Sequence, residues 1–123
     1  MEYMLLIHNT EGQWETFSEE TQGKMLQEFM EFTQNLVAKG QFRASNRLQP
    51  SASARTVRYS AGKPSTTDGP FVEAKEALGG YFIIEAKDIE EARAIASRIP
   101  SIKTGDGGVE VRPLFPARVP SKA

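Results

Sequence analysis

The sequence predicts an α+β domain of ferredoxin-like order, β-α-β-β-α-β, with a hairpin inserted in the middle. Three observations predict it. Two segments carry apolar residues at three- and four-residue spacing, the period of an amphipathic helix. Short apolar or alternating runs flank both segments, as strands do. Between the two halves lies a stretch rich in Ser, Thr, Gly and Pro whose alternation and turn residues suit a hairpin.

Each element has its own justification. Tyr3 to His8 is a short apolar run with few polar interruptions, which predicts a strand buried on both faces. A polar loop is expected from Asn9 to Phe17. Ser18 then caps a helix whose positive N-terminal end favours Glu19 and Glu20. Met25, Leu26, Phe29, Met30, Thr33, Leu36 and Val37 form its apolar stripe, and Gly40 stops it after Lys39. Phe42 to Leu48 reads as a second strand. Arg55 to Tyr59 alternates as a third, and Ala61-Gly62-Lys63 turns the chain into Ser65 to Thr67. Tyr81 to Glu85 is a buried strand. Asp88 caps the next helix with an acid three residues on, and Ile89, Ala92, Ile95, Ala96 and Ile99 make its apolar face before Pro100 stops it. Val109 to Leu114 alternates as the last strand. Pro113, Pro116 and Pro120 make an extended or disordered tail of 115–123 after a single domain of 1–114.

Composition narrows the function. A chain of 123 residues is large enough for one core without staples. With no Cys there is no disulfide framework, thiol nucleophile or thiolate metal site. One His and scattered carboxylates give no metal-ligand spacing, so no metal is expected. A formal net charge of −1, with basic residues scattered among acids, argues against a nucleic-acid partner. No apolar run approaches membrane-spanning length, and Met1 to Met4 lacks the basic start of a secretory signal, so cytoplasmic residence is expected. Gly79-Gly80 lacks the Lys and helix start of a phosphate loop, and no cofactor is expected; close packing or a bulge explains the pair better.

The most informative stretch is Thr67-Asp68-Gly69-Pro70-Phe71-Val72-Glu73-Ala74-Lys75, followed by Leu78-Gly79-Gly80-Tyr81. Pro70 cannot continue a helix and Gly69 takes angles closed to other residues, so a sharp turn is expected around Asp68. Thr67 to Phe71 resembles the signature of the DGPF-domain branch of the YCII-related proteins. Tyr3-Met4-Leu5-Leu6-Ile7, Leu48-Gln49-Pro50, Leu78-Gly79-Gly80-Tyr81 and Val109-Glu110-Val111-Arg112-Pro113 match in the family's order. The resemblance implies a ferredoxin-like unit that pairs into a dimeric α/β barrel. It implies no particular reaction, since most such proteins have none established.

Alternation places Tyr3, Leu5 and Ile7 on one face of the first strand and Met4, Leu6 and His8 on the other. Val109 and Val111 likewise oppose Glu110 and Arg112. The helices cover one face of such a sheet, and the open face is expected to close against a second copy, giving a homodimer. In the dimer that the resemblance implies, His8, Glu110 and Arg112 would line one cavity with Asp68 and Tyr81. Asp68 and His8 are the candidate catalytic residues, with His8 as general base oriented by Asp68 or Glu110. The alternatives are a strand-end His bonded to backbone or water, and an Asp that holds its own turn. Arg112, Glu110, Tyr81 and Lys75 are the candidate ligand-binding residues: Arg112 suits a carboxylate, or pairs with Glu110 or Glu73. Glu73 and Lys75, two apart, would share one side of a strand. Relatives of the wider family resemble one another in a His–Asp pair whose His lies on the first helix. That helix here offers only Glu19, Glu20, Glu28 and Glu31, so the pair does not carry over.

Three functions follow from these expectations. The first is a homodimer that binds a small, anionic molecule in a cavity near the Asp-Gly-Pro-Phe loop. A second is a lyase or isomerase using acid/base chemistry. The third is a structural or accessory module, which fits the regulatory setting that the resemblance implies.

Overall fold

The computed structural model describes residues 1–116; the rest of the expected tail, 117–123, lies outside the described residues. A four-stranded antiparallel sheet is built from β1 (Glu2–Thr10), β2 (Phe42–Arg47), β5 (Glu76–Glu85) and β6 (Gly108–Pro113), in the order β2-β5-β1-β6. Helices α2 (Glu19–Ala38) and α3 (Ile89–Ala96) connect its strands, and α1 (Gln13–Thr16) is a single turn inside the expected loop. Strands β3 (Arg55–Ser60) and β4 (Lys63–Asp68) form a separate two-stranded sheet, the inserted hairpin. The ferredoxin-like order is therefore the observed one. No helix among the described residues is long and apolar enough to cross a membrane.

Strand alternation decides where the core lies. Tyr3, Leu5 and Ile7 of β1 are buried, as are Phe82 and Ile84 beside them on β5. They pack against Leu36 of α2 and against Ala92, Ile95, Ala96 and Ile99 at α3 and just beyond it. Leu5, Leu36, Ile84, Ile95 and Ile99 are fully buried. Enclosing each such side chain stabilises the fold by roughly 1.5–3 kcal/mol. Phe32 meets the Phe82 ring edge-on at 5.2 Å, a favoured aromatic geometry. Met4, Leu6, Tyr81 and Ile83 occupy the opposite face and stay half-buried, with no element among the described residues over them.

Both long helices start where their caps predict. The Ser18 hydroxyl accepts from the Thr21 amide at 3.1 Å, and the Asp88 carboxylate accepts from the Glu91 amide at 2.9 Å. Glu91 reaches back to the Lys87 amide, completing a reciprocal pair at the start of α3. Helix α3 ends at Ala96, earlier than its apolar face suggests. Pro100 cannot continue it, so Arg98 and Ile99 close the end with tighter bonds to Ile95 and Ala96, and Ile99 is buried from outside the helix.

Two strands run longer than their apolar runs. β1 continues to Thr10, whose amide and hydroxyl both donate to Asp106. β5 starts at Glu76 because Gly79 forms a bulge: Ile7 pairs with Gly80 and His8 with Leu78. Glu73 and Lys75 precede that strand, so the two-residue alternation expected of them does not apply. The chain leaves the hairpin at Gly69 and Pro70, and Phe71 turns back under the Arg58 guanidinium, 4.2 Å from the ring centre.

Gly107 sits where β6 meets β1 with φ 71°, and a Cβ there would lie 1.9 Å from the His8 carbonyl oxygen. Backbone cannot yield as a flexible side chain can, so Gly107→Ala should lower stability by about 1–3 kcal/mol or more. Gly62→Ala, at a hairpin tip with open space around it, should cost less. Equilibrium urea unfolding of the two variants checks the difference, and equal losses would contradict this packing.

Candidate functional site

A cavity of about 800 Å³ opens between α2, the α1 segment and the end of the sheet where β1, β5 and β2 meet. Its walls are mainly apolar: Met25, Leu26, Phe29 and Met30 from α2, Trp14 and Phe17 from the α1 segment, and Ile7 and Phe82 from the sheet. The sequence explains why space is left. Gly79 and Gly80 give the sheet no side chains here, and a Cβ would come within 2.8 Å of Asn9 Oδ1 or 2.9 Å of the Asn46 carbonyl oxygen. From beyond α3 only Ser101 and Thr104 reach this space, so α2 supplies most of its helical wall. The volume falls in the range of small-molecule sites.

A few polar groups face this space. Arg47 at the end of β2 holds its guanidinium 4.9 Å from the Trp14 ring centre, a cation–π contact. Among the described residues Arg47 has no carboxylate partner. Gln22 donates to the Trp14 carbonyl at 2.9 Å and so ties the α1 segment to α2. Thr33 is occupied by the Phe29 carbonyl of its own helix. At the rim the Glu11 carboxylate accepts from both the hydroxyl and the amide of Ser51, each at 2.6 Å. Those bonds, the hydroxyl's first, hold its pKa below the usual carboxylate range.

The residues singled out in the sequence fall in three places. His8, Glu110 and Arg112 meet on the open sheet face. His8 Nε2 lies 3.8 Å from Glu110 Oε1, and Arg112 Nε lies 3.6 Å from Glu110 Oε2. Tyr81 shares that face, where its hydroxyl accepts from Asn46 Nδ2 at 2.8 Å, and it also reaches the cavity lining. Asp68 stands opposite Arg55 in the hairpin, with Arg55 Nε 3.1 Å away and the carboxylate side chain 87% exposed. Lys75 lies close enough to Asp106 to help hold that carboxyl's pKa down, behind the larger effect of the two Thr10 bonds. Of these six residues only Tyr81 lines the cavity.

Trp14, Arg47 and Asn46 were not singled out as a group in the sequence. Trp14 is half-buried over the cavity, a position compatible with anchoring its loop to the core or with closing over a ligand. Arg47 carries no motif. Only the pairing of β2 with β5, which sets it beside Gly80, brings it to Trp14.

The chain belongs to the YCII-related domain family, whose model matches residues 1–118. It is 32% identical to an uncharacterised protein of Rhizobium meliloti (strain 1021), across 98% of this chain and 100% of that protein. Among solved structures it is similar to the 5-chloro-2-hydroxyhydroquinone dehydrochlorinase of Burkholderia phenoliruptrix AC1100 in complex with 2,5-dihydroxybenzoquinone. That match has a TM-score of 0.55 over 94% of each chain at 14% identity, a likeness of fold.

The Glu11 bonds generate a pH prediction. A carboxyl with a depressed folded pKa contributes stability that is present above its unfolded pKa and lost as pH falls through the folded one. Glu11→Gln should therefore lower the melting temperature slightly at neutral pH, and the gap to the parent should close on acidification below the usual carboxylate range. Melting curves of both proteins across that range check it. A gap that persists unchanged in acid would refute the role given to the charge.

Proposed function

We propose that this protein binds a small, flat, largely apolar molecule in the cavity beneath Trp14, and that it does so as a homodimer. The observation that carries the reading is the cavity: about 800 Å³, walled by aromatic and Met side chains, with Arg47 at its edge. Apolar walls supply affinity, and a few directed polar groups orient the ligand. An Arg lacking a carboxylate partner favours a ligand that carries negative charge. The similar dehydrochlorinase is in complex with a small ring compound, which agrees with a flat ligand without identifying one. Binding is favoured over catalysis because no His lines the cavity, and Glu11 is held as an occupied acceptor.

Homodimerisation is supported by Met4, Leu6 and Ile83, which leave an apolar strip on the open sheet face. The same face supports the second reading, in which the site lies there and carries acid/base chemistry. Its specific observation is the row His8–Glu110–Arg112, where a carboxylate stands between an imidazole and a guanidinium. Enclosure by a second copy would draw that row out of water, with Tyr81 beside it. Asp68 and Lys75 would then act from the neighbouring loop, as the signature suggests.

Trp14 is the sole Trp in the chain, so its fluorescence reports on the cavity alone. Titration with small aromatic acids and hydroxyquinones should give saturable quenching for at least one of them. Arg47→Ala should weaken that ligand about tenfold, the effect of a lost charge-assisted contact of roughly 1.5 kcal/mol. A ligand that raises the melting temperature but leaves Trp14 unchanged would place binding elsewhere.

The two readings part at His8. His8→Tyr should preserve the fold, a sedimenting dimer at micromolar concentration and the Trp14 titration. Loss of binding or turnover with fold and dimer intact would overturn the cavity reading in favour of the open-face row.

A further inference from the structure

Among the described residues two apolar surfaces lack a partner, and they match each other. One is the hairpin. Val57 and Tyr59 share a face of β3, set against Thr66 and Pro64 of β4, and are 63% and 77% exposed. A two-stranded sheet is marginal in water unless another surface covers it, and both outer edges of this one are free to pair. Yet the hairpin is built to project as a unit. Gly69 N donates to the Ala54 carbonyl and the Thr56 hydroxyl donates to the Gly69 carbonyl, which closes its base. The paired bonds from Ser51 to Glu11 then fix that base at the cavity rim.

The other surface is on α2. Leu26, Met30 and Val37 are 52%, 57% and 57% exposed and lie at spacings of four and seven residues, one stripe along the flank of the helix beside the cavity. From Leu26 to Val37 the stripe runs about 16 Å, and a six-residue strand such as β3 runs about 20 Å. Charge agrees as well. α2 carries Glu19, Glu20, Glu28 and Glu31 against Lys24, whereas the hairpin carries Arg55, Arg58 and Lys63 against Asp68.

We propose that the β3–β4 hairpin of one copy docks along α2 of a second copy, with Tyr59 set over Leu26 and Met30. Those two residues also form the cavity rim, so the docked arm roofs the cavity and makes the partner's Tyr59 part of the binding site. Exchange of arms is self-complementary: each copy gives a hairpin and receives one, so the contact closes at two chains. A buried Tyr is a typical energetic anchor for such a contact. The inference does not depend on whether the open sheet faces also meet.

The absence of Cys makes the test direct. Full-length Tyr59→Cys and Met30→Cys chains, one enlarged by a tag, are mixed, exchanged through unfolding and refolding, and oxidised mildly. The expected product is a disulfide-linked pair of the two different chains, well above that from Tyr59→Cys mixed with Ser97→Cys on α3. Tyr59→Asp, at an exposed position that the monomer fold does not need, should weaken association at least tenfold by sedimentation with an unchanged melting transition at low concentration. A stable dimer without the cross-link would overturn the arm contact and leave the open-face dimer standing. So would a doubly substituted single chain that closes its own disulfide and runs as a monomer on a denaturing gel. A monomer at every concentration would overturn both.

Discussion

The structure depends on one packing constraint: two helices of unequal length cover one face of a four-stranded sheet. α3 is short and sits over Ile84 and Leu5 with Ala92, Ile95 and Ala96, small and branched residues that let it lie close. α2 is long and packs on the core through Phe29, Phe32 and Leu36, all in its C-terminal half. Toward its N-terminus the sheet beneath it carries the bare backbone of Gly79 and Gly80, and from beyond α3 only Ser101 and Thr104 reach the space beside it. The cavity is the space left by that mismatch. Gly80 sits in its floor because the Asn46 backbone of β2 approaches too closely for a Cβ, whereas at Gly79 the Asn9 side chain would have to move aside.

Polar contacts around this scaffold share one logic: each tethering carboxylate is bound to a neighbouring chain segment and holds a charge that suits it. Asp106 ties the β6 loop to Thr10 at the end of β1, and Glu11 ties the hairpin base to the same strand end through Ser51. Glu85 receives the chain's own N-terminal ammonium, and its pKa falls mainly through that bond, with Arg43 adding a weaker pull. All three lie at the surface, so they steer loops more than they stabilise the core. Glu11 fixes where the hairpin leaves the body, which a hydrophobic core of this size does not reach.

Much of the fold was legible because periodicity reports burial. The alternation of Tyr3, Leu5 and Ile7 against Met4, Leu6 and His8 predicts the two sheet faces, and these are the faces observed. Ser18 and Asp88 mark helix starts because a cap is a local bond. Boundaries that depend on distant contacts were not legible. β1 reaches Thr10 only because Asp106, far along the chain, binds it, and β5 reaches back to Glu76 only by way of a bulge. The site was legible in part for the same reason. Neighbours across β1 and β6, such as His8, Glu110 and Arg112, follow from alternation once the two strands pair. The cavity needs Trp14, Phe29, Arg47 and Gly80 together, four residues from four segments that no spacing relates.

The signature segment takes on a more definite role in this light. Asp68 and Arg55 form an exposed pair, which in a free hairpin stabilises by roughly 0–1 kcal/mol and cannot hold two strands in place. Gly69 and Thr56 add backbone closure at the same level of the hairpin, and Phe71 lies against Arg58 just beyond. Each contact is weak in water, yet all of them brace one short structure with no core of its own. Covering the hairpin with a second surface removes water from the Asp68–Arg55 pair and raises its worth, because screening falls as solvent is excluded. On the proposed docking, the motif would be a brace whose strength appears on assembly: marginal in a lone chain, firm where the arm meets a partner helix.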